Sequence, residues 1–449
     1  MNINEKKISI IGSVRSGIAA AKLAKKLGAI PFVSDSGPKE KFDNSIRVFE
    51  SGGIDYEFGG HTEKIFDCDF IITSPGVPSN SPVLLKAVEK NIKVISELEF
   101  AAAFCKGTII SITGTNGKTT TTELLSYIIN ECGRKCYVAG NIGTAFSEIT
   151  LDVKYDEFVA LETSSFQLDF IDEFKPQFSM ILNITPDHLD RYNNNYDEYI
   201  TAKMKVLRNQ NEDDFFIFNA DDPNIRLNLK NKRVQKLSFS LVNEVQAGSF
   251  YKNDKIFFAW FGEKTEICSG RDLFIKGEHN IANALAAVSV VKTLRFPNRK
   301  IRSALSSFKG VEHRIELVRV MDGVEYFNDS KATNVDSVSV ALKSFEKPIY
   351  LILGGKDKGN NYDQIKELIV KRVKKIYAIG SSAEKVYNYF NSIVPTEIKK
   401  TMEDCVESAR IEAENGSVVL LSPACASFDM YESYEHRGKV FKEIVNKLK

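Results

Sequence analysis

The feature that most constrains the fold of this sequence is a short strand, a glycine turn and a helix in that order, found in three blocks of the chain. The strands are rich in β-branched residues and run from Ile8 to Ile11, Thr108 to Thr113 and Ile349 to Leu353. This alternation is typical of parallel α/β layers. Because 449 residues allow about three cores of ordinary size, we predict an α/β protein with three domains.

The composition excludes several classes of function. With 60 basic and 59 acidic residues, the net charge of +1 gives no bulk attraction to nucleic acid or to an anionic membrane. The seven cysteines have neither zinc-site nor CxxC spacing, which favours reduced thiols in the cytosol. The sequence contains neither a signal-peptide pattern nor an 18-residue apolar run. We therefore predict a cytoplasmic monomer that acts on small molecules and neither binds nucleic acid nor inserts into membranes.

The first block, ISIIGSVRSG, has the outline of a dinucleotide-binding fingerprint. Gly12 and Gly17 flank the start of a helix, and Asp35 ends the next strand, but Val14 replaces the middle glycine. A dehydrogenase is therefore one hypothesis, and a site for a nucleotide diphosphate at the helix N-terminus is another. The turn Ser74-Pro75-Gly76 follows the apolar strand FIIT and could contribute to the same pocket.

The second block contains ITGTNGKTT, which ends like a phosphate-binding loop. The glycine expected at the start of the common motif is replaced by Ile112. The glycines allow backbone N–H groups to face a phosphate, Lys118 can reach the terminal phosphates, and Thr119 can bind Mg²⁺. The alternative is a glycine turn beside a solvated lysine. The buried strand before the loop and the apolar helix after it favour phosphate binding.

Two further strands of this block deliver polar residues where α/β sheets bind ligands. Glu162 ends the strand that begins at Phe158, and Asp187 with His188 follows the apolar run FSMILNI. A carboxylate and an imidazole beside a phosphate loop suit a divalent metal, although Mg²⁺ prefers oxygen ligands. Alternatively, His188 is a structural residue in a turn.

The next predicted helix carries a lysine on its apolar face. Lys203 shares this face with Tyr196, Tyr199, Ile200 and Leu207. An unpaired buried ammonium group is costly, so the lysine either extends to the surface or lies in a special environment. The spacing alone favours extension to the surface.

The third block places small polar residues after two predicted strands. Asp329, Lys331 and Thr333 follow the strand from Val324 to Phe327, and Ser422 to Ser427 follows SVVLL. Such clusters form either ordinary turns or a binding site.

Taken in order, the strings ITGTNGKTT, ALETSSFQLD, NITPDHLDRY, GEHNIANALAA, VEHRIE, NDSKATN, LGGKDKG and SPACASFD resemble the Mur ligases of peptidoglycan synthesis over essentially the whole chain. The loop without the first glycine is this family's own version, shared with folylpolyglutamate synthases. SPACASFD indicates the branch that adds D-glutamate. The resemblance implies a Rossmann-like domain for the UDP substrate at 1–98, a central P-loop ATPase domain with a mainly parallel sheet at 99–310, and a Rossmann-like amino-acid-binding domain at 311–449.

The implied reaction is ATP-dependent amide formation between UDP-N-acetylmuramoyl-L-alanine and D-glutamate, through an acyl phosphate. The resemblance also implies two Mg²⁺ sites and a Lys203 that is carbamylated by CO₂, which reverses the interpretation from spacing alone. The implied catalytic residues are Lys118, Glu162, His188 and Lys203, and the implied metal ligands are Thr119, Glu162, His188 and Lys203. The implied ATP-binding residues are Gly114, Thr115, Asn116, Gly117, Lys118, Thr119, Thr120, Asn280, Asn283, Arg314 and Asp329.

The substrate pockets are also implied by the resemblance. The UDP substrate is expected at Ser13, Ser16, Asp35, Ser74, Pro75, Gly76, Asn141 and His188, and D-glutamate at Lys331, Thr333, Lys358, Ser427 and Tyr434. The sequence departs from the family pattern where Gly37 replaces a basic residue, where Val14 replaces a glycine, and where Tyr434 replaces a phenylalanine.

Two alternatives stay open at this stage. Another ligase of the family would act on L-alanine, a diamino acid, a dipeptide or folate, although the DNPR-type string of the diamino-acid enzymes is absent from the C-terminal block. A noncatalytic nucleotide-binding regulator would need the loop but would not need Glu162, His188 and Lys203 together.

Overall fold

The structure is a computed structural model that describes residues 1–229, 233–357 and 359–449. The chain forms two compact units, one of residues 1–274 with 280–308 and the other of residues 275–279 with 309–449. Among the described residues, no helix is both long enough and apolar enough to cross a bilayer.

The first unit begins with a fully parallel sheet in the spatial order β3-β2-β1-β4-β5. Its strands are β1 Lys7–Ile11, β2 Ile30–Asp35, β3 Asp55–Phe58, β4 Phe70–Thr73 and β5 Lys93–Ser96. The accompanying helices are α1 Arg15–Lys26, α2 Asp43–Gly52, α3 Pro82–Glu89 and α4 Glu97–Ala102. The turns after β1 and β4 meet at the carboxyl edge of this sheet, because the two strands are neighbours and parallel.

The second sheet of this unit has the order β14-β13-β12-β11-β10-β9-β6-β8-β7 and is parallel from β7 to β12, with β13 and β14 antiparallel. Its strands are β6 Thr108–Thr113, β7 Cys136–Gly140, β8 Phe158–Glu162, β9 Phe178–Ile181, β10 Phe215–Asn219, β11 Gln235–Ser240, β12 Ala247–Lys252, β13 Lys255–Trp260 and β14 Glu263–Ser269. The helices in this part of the chain are α5 Lys118–Glu131, α6 Phe146–Ile149, α7 Ser165–Asp169, α8 Tyr196–Met204, α9 Pro223–Leu227, α10 Glu278–Thr293 and α11 Asn298–Ser307.

The second unit contains a sheet in the order β15-β16-β20-β17-β18-β19, with β15 antiparallel to β16 and the remaining pairs parallel. The strands are β15 Glu316–Met321, β16 Val324–Asn328, β17 Ile349–Gly354, β18 Val373–Ile379, β19 Thr396–Ile398 and β20 Val418–Leu421. The helices are α12 Val335–Lys343, α13 Asp363–Arg372, α14 Ala383–Phe390, α15 Met402–Glu412 and α16 Tyr434–Lys447.

The expected α/β class with mainly parallel sheets is confirmed, and the physical reason is visible in the burial pattern. All residues of β8, β17 and β20 are buried, as expected for strands covered by helices on both faces. The terminal helix begins at Tyr434, because Ser433 accepts a hydrogen bond from the His436 N–H group and caps the helix.

Glu99 connects the two sheets of the first unit. This buried carboxylate, in the helix after β5, accepts hydrogen bonds from the backbone N–H groups of Asp172, Glu173 and Phe174, each at 2.9 Å. These three residues lie just before β9. Charge-assisted hydrogen bonds to backbone N–H groups are strong, so Glu99 holds the end of the first sheet against the second.

Candidate active site

The phosphate loop lies between β6 and α5. Gly114 and Gly117 have φ values of +148° and +83°, which glycine tolerates better than other residues, and Lys118 begins the helix. The Lys118 ammonium group donates to the carbonyl oxygens of Gly114 at 2.9 Å and Thr115 at 2.8 Å. A glycine loop at a helix N-terminus directs backbone N–H groups towards an anion.

A side chain from the end of β9, Asn183, fixes the shape of this loop. Its carbonyl oxygen accepts from the Thr115 N–H group at 2.9 Å. Its side-chain amide exchanges two hydrogen bonds with the backbone of Asn116, at 2.8 and 3.0 Å. Asn183 was absent from the sequence-based site, although its place at a strand end beside the loop is a signal that could have identified it.

Glu162, the last residue of β8, joins two of the predicted site residues. The Thr119 hydroxyl donates to Glu162 Oε2 at 2.8 Å, and the Asn141 side-chain amide donates to Oε1 at 3.0 Å. Glu162 is 2% exposed and Thr119 is 5% exposed. Neighbouring parallel strands thus bring a carboxylate and a hydroxyl together beside the phosphate loop, and oxygen atoms of this kind are the ligands that Mg²⁺ prefers.

Lys203 does not extend to the surface. Its side chain, on α8, is 2% exposed, and the ammonium group donates to the Gly114 carbonyl oxygen at 2.9 Å and lies 4.5 Å from the Tyr199 ring centroid. Burial, reinforced by the charge of Lys118, holds the pKa of Lys203 well below its usual value, against the opposing effect of Asp187 and Glu162. The Lys203 side chain is therefore buried in a special environment. The spacing of the apolar residues alone had favoured the other possibility, extension to the surface.

His188 lies in a left-handed turn between β9 and α8, with φ +51°. Its side chain is 46% exposed, its backbone N–H group donates to Asp187 Oδ1 at 3.0 Å, and its ring meets the edge of Phe166. Asp187 is thus a neighbour both of His188 and, electrostatically, of Lys203.

Asn283 of α10 lies against the phosphate loop, and Asn280 is its hydrogen-bond partner. A Cβ atom added at Gly117 would lie 2.5 Å from Asn283 Oδ1, so only glycine permits this approach. Asn283 Oδ1 also accepts from the Thr121 hydroxyl at 3.2 Å, and the Asn283 amide donates to Asn280 Oδ1 at 3.3 Å. Thr120, also predicted for the site, is buried in the first turn of α5.

A cavity of about 780 Å³ opens at the carboxyl edge of the first sheet. Six of the residues predicted for the UDP substrate line it, namely Ser16, Asp35, Ser74, Pro75, Gly76 and Asn141. Ser13 lies behind the wall, where its N–H and hydroxyl groups donate to Asp35 Oδ2 at 2.8 and 2.9 Å. His188 is not among the described residues that line this cavity. The sequence analysis missed Arg15, Ser36 and His61, which do line it.

In the second unit, Asp329 and Ser422 lie at the adjacent ends of β16 and β20. The Ser422 hydroxyl donates to Asp329 Oδ2 at 2.8 Å, and the Ile315 N–H group donates to Oδ1 at 3.2 Å. Burial raises the pKa of Asp329 to about 7, although the nearby Arg314 acts in the opposite direction. Arg314 and burial together lower the pKa of His279 to about 4. The predicted pair of Arg314 and Asp329 is therefore close in space.

The residues predicted for D-glutamate fall in two neighbouring parts of this unit. The Lys331 ammonium group lies 5.5 Å from the Tyr434 ring centroid, and the Thr333 N–H group donates to the Lys331 carbonyl oxygen. Ser427 is buried, and its carbonyl oxygen accepts from the backbone of the turn that precedes α16. Lys358 lies outside the described residues.

Arg437, which the sequence analysis missed, links these two parts. It is 2% exposed and donates to the Ser330 carbonyl oxygen at 2.8 Å, the Ser330 hydroxyl at 2.9 Å and the Cys425 carbonyl oxygen at 3.1 Å. Burial lowers its pKa to about 10, so it keeps its charge at neutral pH. Arg437 shares one face of α16 with the buried Phe441 and Val445, which is the same signal that distinguished Lys203.

Comparisons with known proteins agree with this arrangement. Three family models match, described as MurD N-terminal domain over residues 7–83, Mur ligase middle domain over 112–291, and Mur ligase, glutamate ligase domain over 313–425. The UDP-N-acetylmuramoylalanine--D-glutamate ligase of Koribacter versatilis is 44% identical, over 100% of this chain and 99% of the relative. The ligase of the same name from Salinibacter ruber is 41% identical, over 99% of both chains.

Among solved structures, the MurF ligase of Thermotoga maritima in complex with ADP has the same fold. It matches with a TM-score of 0.60 and 17% identity, over 93% of this chain and 95% of that one. The whole-length relatives at above 40% identity and the three matching domain models decide the assignment. The chain belongs to the Mur ligase family, in the branch of the D-glutamate-adding enzymes.

Proposed function

We propose that this enzyme ligates D-glutamate to UDP-N-acetylmuramoyl-L-alanine with hydrolysis of ATP, a step of peptidoglycan synthesis. The observation that carries the proposal is the hydrogen bond between Thr119 and Glu162 beside the phosphate loop, in a chain whose whole length matches D-glutamate ligases. The seven cysteines are free thiols, which is consistent with a reducing cytoplasm.

The phosphate loop supports ATP as the source of energy. Gly114 to Thr120 would surround the β and γ phosphates, and Lys118 would turn from its two loop carbonyl oxygens to the phosphate oxygens. Phosphoryl transfer depends on charge neutralisation and positioning more than on covalent help from the protein. Asn283, which contacts the loop at Gly117, and its hydrogen-bond partner Asn280 would lie near the adenine, and Arg314 and Asp329 would also bind ATP.

The oxygen donors beside the loop fit Mg²⁺. Thr119 and Glu162 would hold one ion, and His188 with a carbamylated Lys203 would hold a second. When bound, the ions would neutralise charge on the phosphates and on the acyl phosphate. The lowered pKa of Lys203 supports the carbamate, because CO₂ reacts with a neutral amine, and the nearby charge of Lys118 repels an ammonium group but would attract the carbamate anion.

The remaining residues would bind and orient the two substrates. The cavity at the first sheet would hold the UDP end, and Asn141 would contact the alanyl end beside Glu162. The alanyl carboxylate would attack the γ-phosphate and release ADP, and the amine of D-glutamate would then attack the acyl phosphate and expel phosphate. Lys331, Thr333, Lys358, Ser427 and Tyr434 would hold D-glutamate. The three domains would span residues 1–98, 99–310 and 311–449.

A phosphate-release assay with purified protein tests this function. We expect release from ATP only when UDP-N-acetylmuramoyl-L-alanine and D-glutamate are both present. L-Glutamate, L-alanine and a diamino acid in place of D-glutamate separate the other reactions of the family. Equal turnover with L-glutamate or with the diamino acid would refute the assignment of D-glutamate.

A further inference from the structure

We propose that Arg15 binds the diphosphate group of the UDP-linked substrate and supplies the positive charge that the cavity needs. This inference rests on the proposed function, because it assumes that the cavity at the first sheet holds the UDP end. Arg15 lies in the turn of the dinucleotide-type fingerprint. In this turn a charged side chain would bind the diphosphate, instead of the backbone N–H groups of a glycine-rich loop.

The first observation is the charge of the cavity wall. Arg15 is the first residue of α1 and lines the cavity, as does Ser74 of the turn after β4. Among the described residues that line it, the other titratable side chains are Asp35 and His61. Burial lowers the pKa of His61, so its ring is neutral at pH 7. Arg15 is therefore the one permanent cation among the described residues that line this cavity, and a second cation, Arg191, donates to the Gly76 carbonyl oxygen of the lining at 3.0 Å.

The second observation is that most N–H groups of the Arg15 guanidinium are not hydrogen-bonded to any described residue. Its Nη2 group donates to the Asn141 carbonyl oxygen at 2.9 Å, and within the described residues the other N–H groups of Arg15 have no hydrogen-bond acceptor. Guanidinium groups match phosphate oxygens through paired N–H groups, so the unused donors suit a diphosphate.

The third observation concerns the neighbouring carboxyl groups. Asp35 already accepts from Ser13 and from the Gly37 N–H group. Glu97 is buried, accepts from the Ser147 N–H group at 2.6 Å, and has a pKa that burial raises, an effect that Arg15 opposes. Arg15 also borders a second cavity that Glu148 and Asp152 line, but among the described residues it forms no ion pair with a carboxylate, so its charge remains available to a ligand.

The position of Arg15 also bears on two places at this cavity where the sequence departs from the family pattern. Gly37 replaces a basic residue, and Val14 replaces the glycine that would let the backbone approach a diphosphate. Val14 is 64% exposed at the mouth of the same turn. The long cationic side chain of the next residue, Arg15, lines the same cavity and would reach a phosphate bound there.

Isothermal titration of UDP-N-acetylmuramoyl-L-alanine and of uridine into the full chain tests the proposal. We expect Arg15→Gln and Arg15→Ala to raise the Kd for the UDP substrate by about tenfold to a hundredfold, the size of a charged hydrogen bond, and to leave the Kd for uridine unchanged. Lys22→Gln is the matched control, because Lys22 is exposed on the same helix and does not line the cavity. It should change both constants by less than about twofold.

Three outcomes of this experiment would overturn the proposal. Arg15→Gln keeps a side-chain donor for the Asn141 carbonyl oxygen, so wild-type affinity in this variant would assign Arg15 a structural role and overturn the proposal. An equal loss with Lys22→Gln would also overturn it, as would an equal loss for uridine. Because binding is measured without ATP or D-glutamate, a failure of the ligase assay would leave this result interpretable.

Discussion

Lys118 and Lys203 donate to the same acceptor, the carbonyl oxygen of Gly114, each at 2.9 Å. Two ammonium groups that share one oxygen repel each other, and Lys203 is the one that burial prevents from being hydrated. Loss of the Lys203 charge therefore relieves the repulsion and leaves Lys118 as the cation of the phosphate loop. This relationship makes the two lysines unequal, although both lie within the same site.

The first prediction concerns Lys203. Lys203→Ala should reduce the rate of phosphate release by on the order of a hundredfold or more, because it removes a charged group beside the phosphates. Added short-chain carboxylic acids should restore part of the activity by supplying the missing anion. Lys205→Ala is the matched control. Lys205 lies two residues after Lys203, and its ammonium group pairs with the Asp169 carboxylate instead. Full activity of Lys203→Ala without the acids would refute the carbamate.

The second prediction concerns the metal. Glu162→Gln keeps the size of the side chain and removes its charge, so the Mg²⁺ concentration for half-maximal activity should rise by about tenfold or more. The measurement is a Mg²⁺ titration of phosphate release. Glu131→Gln, at the exposed end of α5, should leave the titration unchanged. An unaltered Mg²⁺ requirement in Glu162→Gln would remove Glu162 from the proposed ligands.

The third prediction concerns Arg437. Arg437→Lys cannot reproduce the fork that joins the Ser330 and Cys425 carbonyl oxygens, so the segments carrying Lys331 and Ser427 should lose their fixed spacing. We expect the KM for D-glutamate to rise by about tenfold, with little change in the KM for the UDP substrate. Arg410→Lys, an exposed arginine paired with Glu407, serves as the control. Equal effects on both KM values would indicate general destabilisation instead.

The fourth prediction concerns pH. Asp329 has a pKa raised from 3.8 to about 7, so the folded state favours the protonated form. That stabilisation is complete below pH 4 and disappears as the pH rises to 7, a difference of about 4 kcal/mol. Asp329→Asn should therefore gain stability relative to the wild type between pH 4 and pH 7, measured as the difference in Tm without ligands. A Tm difference between Asp329→Asn and the wild type that stays constant with pH would contradict the raised pKa of Asp329. Asp322→Asn, at an exposed position, is the control and should show such a constant difference.

Much of the fold and part of the site could be predicted from the sequence, because these features are local. The strand from Thr108 to Thr113 has the predicted bounds, and the predicted helix follows the phosphate loop directly. Glu162 and the phosphate loop could be grouped because parallel strands bring their carboxyl ends to one edge. The apolar face of α8 identified Lys203 as unusual, but spacing alone could not decide whether it is buried.

The features that the sequence analysis missed depend on contacts between distant segments. Arg437 meets Ser330 across 107 residues, and Arg15 meets Asn141 across 126. Nothing local indicates the acceptor of either guanidinium group. Asn183 was missed for a different reason, since a single asparagine after a strand is common in turns and its role depends on the loop that it contacts.

The hydrogen bonds of Glu99 have a consequence for the length of substrate that the proposed site would accept. The Glu99 carboxylate attaches the first sheet to the segment before β9, and the cavity at the first sheet and the phosphate loop lie in the same compact unit. In the proposed function, the distance between the diphosphate site and the site of the reacting carboxylate would then be fixed by the fold of this unit. A substrate with a shorter or longer link between these groups should be rejected by length, even if both of its ends are chemically correct.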